Sequence, residues 1–167
     1  MGIFEYRFEI LKKELDAIDS SIKKIDDLSN NIRNWTVLLW MGSVAVFLGD
    51  DSLRTWVILT AVPPLLFMLI DASWRKIQRR LVFRQNTIAE YLNSEEFEEN
   101  VKSNIFSFEL LDPLSRKEKT SIKFKEFTSF KRILRFPTIS YIYIGLSVLS
   151  IILGILVLLI FGVKMKG

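Results

Sequence analysis

The sequence predicts an all-α membrane protein with three transmembrane helices, a long N-terminal amphipathic helix and a mostly helical cytoplasmic segment. Three observations carry that prediction. Residues 35–49, 56–70 and 139–163 are apolar runs without a charged side chain. Half of the 167 residues are hydrophobic, and most of them sit in those three blocks. Such segregation is what a bilayer selects, because unpaired charge is costly in hydrocarbon. Finally, the N-terminal region carries a heptad-like apolar seam that is too polar overall to span.

The first element, residues 1–34, reads as an amphipathic or coiled-coil helix. Phe4, Phe8, Leu11, Leu15, Ile18, Ile22, Ile25 and Ile32 alternate at spacings of four and three, with Ser29 as the polar break. An amphipathic stripe needs a partner but does not name it. Leu11, Leu15, Ile18, Ile22 and Ile25 are therefore candidates for assembly with copies of the chain, or for a plug. The competing expectation is that they pack on the chain's own polar region. A helix lying on the membrane surface fits less well, because the polar face mixes both charges. No continuous apolar core of signal-peptide type occurs in residues 1–33, so the spans themselves are expected to drive insertion.

Residues 35–73 read as a transmembrane hairpin turning at Asp50 and Asp51. Each uncharged arm is a little shorter than the roughly 20 residues that cross about 30 Å of hydrocarbon. Extension to Ile32 and to Ser73 closes the gap. Pro63 and Pro64 fall inside the second arm and predict a kink, since proline removes an intrahelical hydrogen bond. Thr60 lies one turn earlier, where its hydroxyl can help to satisfy the backbone. Asp71 ends the arm and is expected to pair with Arg75.

Residues 74–137 read as a basic cytoplasmic segment with 14 Lys and Arg against 9 acids. The positive-inside rule then puts the N-terminus in the cytoplasm and the C-terminus outside. A helix is expected from about 74 to 92, with Asn93 and Ser94 ending it and Ser94 capping a short acidic helix to about Lys102. Alternation in residues 105–110 and 121–125, around a polar turn at 112–119, suggests a short β-hairpin. The spacing of Phe124, Phe127, Phe130 and Leu134 instead predicts a helix from about 124 to 135, basic on its other side and suited to a membrane interface. The third span occupies 138–163, with Tyr141 and Tyr143 at its cytoplasmic end and a tail at 164–167. Its small residues, Ser147, Ser150 and Gly154, suit close helix packing or the lining of a pore.

Chemistry is scarce. With no cysteine and no histidine, thiolate, disulfide and imidazole chemistry are excluded. No phosphate-binding glycine loop, nucleophile elbow or zincin motif occurs. Neither an enzymatic activity nor a cofactor is expected. Glu95, Glu96, Glu98 and Glu99 suit a helix first turn for dipole reasons alone. The most suggestive polar feature is a cationic stripe of Arg75, Lys76, Arg79, Arg80 and Arg84. It serves topology and lipid headgroups, or an anionic ligand such as a nucleotide or oligonucleotide.

The layout of N-terminal helix, membrane hairpin, basic segment beginning Asp71-x-x-Trp-Arg-Lys-x-x-Arg-Arg80 and last span resembles small bacterial antiphage-defence membrane effectors. It is similar to SLATT-domain proteins, from whose two-span layout the third span departs, and to the channel component of the Hailong system. The resemblance implies a homo-oligomeric ion channel, a tetramer for instance, in the bacterial inner membrane. It also implies control from the cytoplasm by a nucleotide signal or a soluble partner protein. The other expectation is a non-conducting anchor or sensor that recruits a soluble partner.

Overall fold

A computed structural model describes residues 2–110, 122–135 and 137–162. It contains helix α1 (Ile3–Gly49), a 3-10 helix (Arg54–Ala61), α2 (Val62–Leu92), α3 (Glu95–Ser103), α4 (Ile122–Phe127), α5 (Phe130–Leu134) and α6 (Pro137–Gly162). Three stretches are long and apolar enough to cross a membrane: Ile3–Gly49, Arg54–Leu92 and Ser140–Ile160. The chain divides into two compact units. One comprises Met1–Asp27 and Arg75–Arg132, the other Leu28–Trp74 and Ile133–Gly167. Helices α1 and α2 each contribute residues to both.

In the first unit the seam of α1 packs on the chain itself. Leu11 and Ile18 are buried with Ile88 and Phe106, and Phe4, Phe8, Leu15, Ile22, Leu81 and Leu92 close around them. Ile25 is buried as well. A large aliphatic side chain contributes about 1.5–3 kcal/mol on full burial, so these positions anchor the unit. An aromatic cluster extends the core: Phe4, Phe8 and Phe97 lie within 6.3 Å of one another, and Tyr91 stacks on Phe108 at 4.5 Å. Ser94 caps α3 by accepting the Phe97 amide, and Asn104 ends that helix in the left-handed conformation with φ 54°. Both are the residue types that such positions favour.

The short β-hairpin is not formed: no strand occurs among the described residues. Residues 105–110 are irregular, and residues 122–125, part of the expected second arm, lie in α4. The expected turn at 112–119 lies outside the described residues. The reason is where the backbone finds partners. Arg7 Nη1 donates to the Phe106 carbonyl at 3.1 Å, and Arg84 Nη2 donates to the Glu109 carbonyl at 2.8 Å. Side-chain guanidinium groups take the place of a neighbouring strand. The alternation of Phe106, Phe108 and Leu110 serves packing against the core, not a ladder.

The helix expected over 124–135 is broken at Thr128 and Ser129. Arg79 Nη1 donates to the Phe127 carbonyl at 2.8 Å, and Thr128 Oγ1 donates to the Phe124 carbonyl at 2.8 Å.

In the second unit, Arg54–Ala61 forms a 3-10 helix that packs along α6. Pro63 and Pro64 stand in the first turn of α2, just past it. A first turn lacks intrahelical acceptors, so the missing N–H groups cost little there. Upstream, carbonyls that proline cannot serve are met otherwise. Val62 donates to the Leu59 carbonyl, and Ser147 Oγ lies 3.1 Å from the Ala61 carbonyl. The prolines thus mark a 3-10 to α junction. At the preceding turn, the Ser52 hydroxyl and amide both donate to Asp50, holding its carboxyl below the usual carboxylate value.

Candidate functional site

The second unit buries one carboxylate. Asp71, on α2, is fully buried. Its apolar neighbours in sequence place it at the end of the second run, and three side chains from two other helices converge on it. From α1, the Ser29 hydroxyl donates to Oδ1, and Arg33 Nε lies 3.4 Å from Oδ2. From α6, the Tyr143 hydroxyl donates to Oδ2 at 3.0 Å. One acid therefore ties three helices together. Ser29 explains itself here: the polar break in the α1 seam faces the carboxylate. Arg33 is 16% exposed at its side chain, and its Nη2 is buried without a hydrogen-bond partner among the described residues. A charge pair this far from water is costly to assemble and costlier to break. Ionisable groups beside apolar spans mark functional sites by default.

The hydroxyls of the spans are used in packing. Trp40 Nε1 donates to Ser150 Oγ at 2.7 Å, joining α1 to α6. Ser147 Oγ lies 3.1 Å from the Ala61 carbonyl and 2.9 Å from the Tyr143 carbonyl. Thr36 donates to the Ile32 carbonyl. Gly154 faces Ile58 so closely that an added Cβ would lie 2.9 Å from the Ile58 Cβ. Ser147, Ser150 and Gly154 thus sit on the buried side of α6 within a single chain.

The cationic stripe of the first unit is largely engaged. Arg75 Nη1 contacts Asp26 at 2.5 Å and Gln78 at 2.6 Å. Asp71 and Arg75, which the sequence places one turn apart, each take a partner from α1. Arg79 holds the Phe127 carbonyl and lies over the Phe127 ring at 4.6 Å. Arg84 is buried against Glu14, with contacts of 2.8 and 3.3 Å, and lies over the Phe108 ring. Both side chains of that pair are about 95% buried, given exposures of 5% and 6%. Lys76 and Arg80 are half-buried, and neither makes an ion pair among the described residues. A cavity of about 460 Å³ lies beside Glu14, lined by Ile10, Ala17, Ile18 and Leu81. No group of His, Cys, Asp and Glu among the described residues is arranged to hold a metal ion.

No family profile, curated protein or solved structure matches this sequence.

Proposed function

We propose that this chain is a bacterial inner-membrane effector that assembles into an oligomeric channel or pore, gated from the cytoplasmic side. The Asp71 constellation is the observation that carries this reading. It holds three helices by a single buried charge, which makes their arrangement sensitive to one displaced contact. Interfaces of this kind have discrete alternatives and do not deform smoothly. Three helices in one copy enclose no conduit, so conduction needs several copies. The first span has surface for them: only 11% of its most apolar window is buried, and Trp35, Leu38, Leu39, Met41 and Val46 are exposed. Leu11, Leu15, Ile18 and Ile22 are occupied within the chain, so assembly falls to the span faces and not to the α1 seam. The proposed trigger is an anionic ligand, a nucleotide or oligonucleotide, at Lys76 and Arg80, or a soluble partner protein. The shared helices α1 and α2 would transmit it. The setting in antiphage defence, with N-terminus inside and C-terminus outside, follows from the layout resemblance and the charge distribution.

One observation favours a second reading, a non-conducting anchor or sensor. The span hydroxyls at Thr36, Thr60, Ser147 and Ser150 are spent on internal hydrogen bonds. Conductance of the purified full-length protein in planar bilayers, with its mass in detergent measured on the same sample, separates the two. Discrete current steps from a defined oligomer support the channel. A silent monomer, both as wild type and as Asp71→Asn, refutes it and leaves the anchor.

A further inference from the structure

The segment just before the third span presents five cations and little else. Lys123, Lys125, Lys131, Arg132 and Arg135 are all exposed, and none forms an ion pair with a described residue. Glu126 is the single acid in residues 122–135. The aromatic side of the segment is turned away. Phe124 is buried and meets Phe83 edge-on at 5.3 Å, Phe127 packs on the same ring at 5.9 Å, and Ile133 is fully buried. Ile122 is the apolar exception, at 76% exposure.

We infer that α4 and α5 form an electrostatic platform for anionic phospholipid headgroups of the leaflet that the third span enters. The chain itself fixes the occupant. Three residues separate Leu134 from Thr138, and an extended chain covers at most about 3.5 Å per residue, so Lys131, Arg132 and Arg135 are tethered within about 25 Å of the span. Surface cations held there, with no ion pair among the described residues, lie within reach of lipid phosphate. The inward aromatic face excludes the insertion mode that the amphipathic pattern alone suggests, leaving a charge-driven and salt-sensitive contact. Each basic residue close to an anionic surface favours the docked state about five-fold. The inference rests on membrane insertion alone and is independent of conduction.

The chain has no cysteine, so Ile122→Cys takes a single fluorescent label on the full-length protein. The label is read in nanodiscs of phosphatidylcholine, with and without phosphatidylglycerol, that carry a headgroup quencher. Quenching is expected to rise with phosphatidylglycerol and to fall back in about 0.5 M salt, where charges are screened. It is expected to be lost in K123Q/K125Q/K131Q/R132Q and kept in K123R/K125R/K131R. Equal quenching in both lipids overturns the inference, as does full quenching in the glutamine variant. Release of the label by a competing oligonucleotide also overturns it and reassigns the surface to nucleic acid. None of these readings depends on current, so their failure is separate from failure of the channel.

Discussion

Removing the Asp71 carboxylate should cost more than any other single change to the spans. In Asp71→Ala, the Ser29 and Tyr143 hydroxyls lose their shared acceptor and Arg33 loses its counter-charge. A hydrogen bond to a charged group contributes about 1.5–3 kcal/mol. Two of them amount to about 3–6 kcal/mol; the bond Ser29 can recover from its own helix backbone lowers this, and the long 3.4 Å contact to Arg33 adds little back, which leaves about 2–5 kcal/mol. That matches the usual cost of breaking a buried pair. Asp71→Asn keeps one carbonyl acceptor and should lose about 1–2 kcal/mol. The decisive variant is the double change Asp71→Leu with Arg33→Met, which removes both charges and restores apolar contact. It should recover much of what Asp71→Leu loses, because the buried guanidinium no longer needs neutralising. Unfolding in mixed micelles, followed by loss of helicity, reads these four together with Arg33→Met alone. The reasoning fails if Asp71→Ala unfolds within about 0.5 kcal/mol of wild type, or if the two single changes add to the double within that margin.

Further outcomes follow from other contacts. Arg84→Lys should destabilise the first unit by about 3 kcal/mol, since a lysine cannot serve both Glu14 and the Glu109 carbonyl with a planar fork; thermal unfolding of the full chain checks it. Gly154→Ala should cost about 1–3 kcal/mol by forcing Ile58 and its backbone apart, whereas Gly42→Ala and Gly145→Ala meet nothing within 4 Å and should leave the melting point unchanged or raise it. Ser94→Ala should lose the cap of α3 at about 1 kcal/mol, visible as faster amide exchange over Glu95–Ser103.

Much of this architecture was legible in the sequence because the bilayer and the helix impose strong periods. The uncharged runs announced the spans, and the four-three spacing of Leu11 to Ile25 announced a buried seam. What the seam packs against was not legible, since an apolar stripe carries no address. The irregular 105–110 segment misled because alternating Phe106 and Phe108 satisfy a packing demand as well as they would a strand. Only Arg7 and Arg84, distant in sequence, show which. The Asp71 site left two traces: a serine interrupting the seam and an acid closing an apolar run. Each is a small anomaly alone. A local rule pairs Asp71 with Arg75 one turn on and says nothing of the partners that α1 brings to each of them. Buried pairs between helices are set by tertiary register, and local spacing does not encode it.

The 3-10 opening of the second span bears on bilayer thickness. A 3-10 helix advances about 2.0 Å per residue against 1.5 Å for an α-helix. Over the eight residues Arg54–Ala61 the gain is about 4 Å, or the reach of two to three further residues. The apolar arm that looked short for its task is lengthened by winding it more tightly, with no residue added. The same eight residues offer a reserve of length: rewound as α they would shorten the span by that amount, a match to thinner hydrocarbon that tilt would otherwise have to supply.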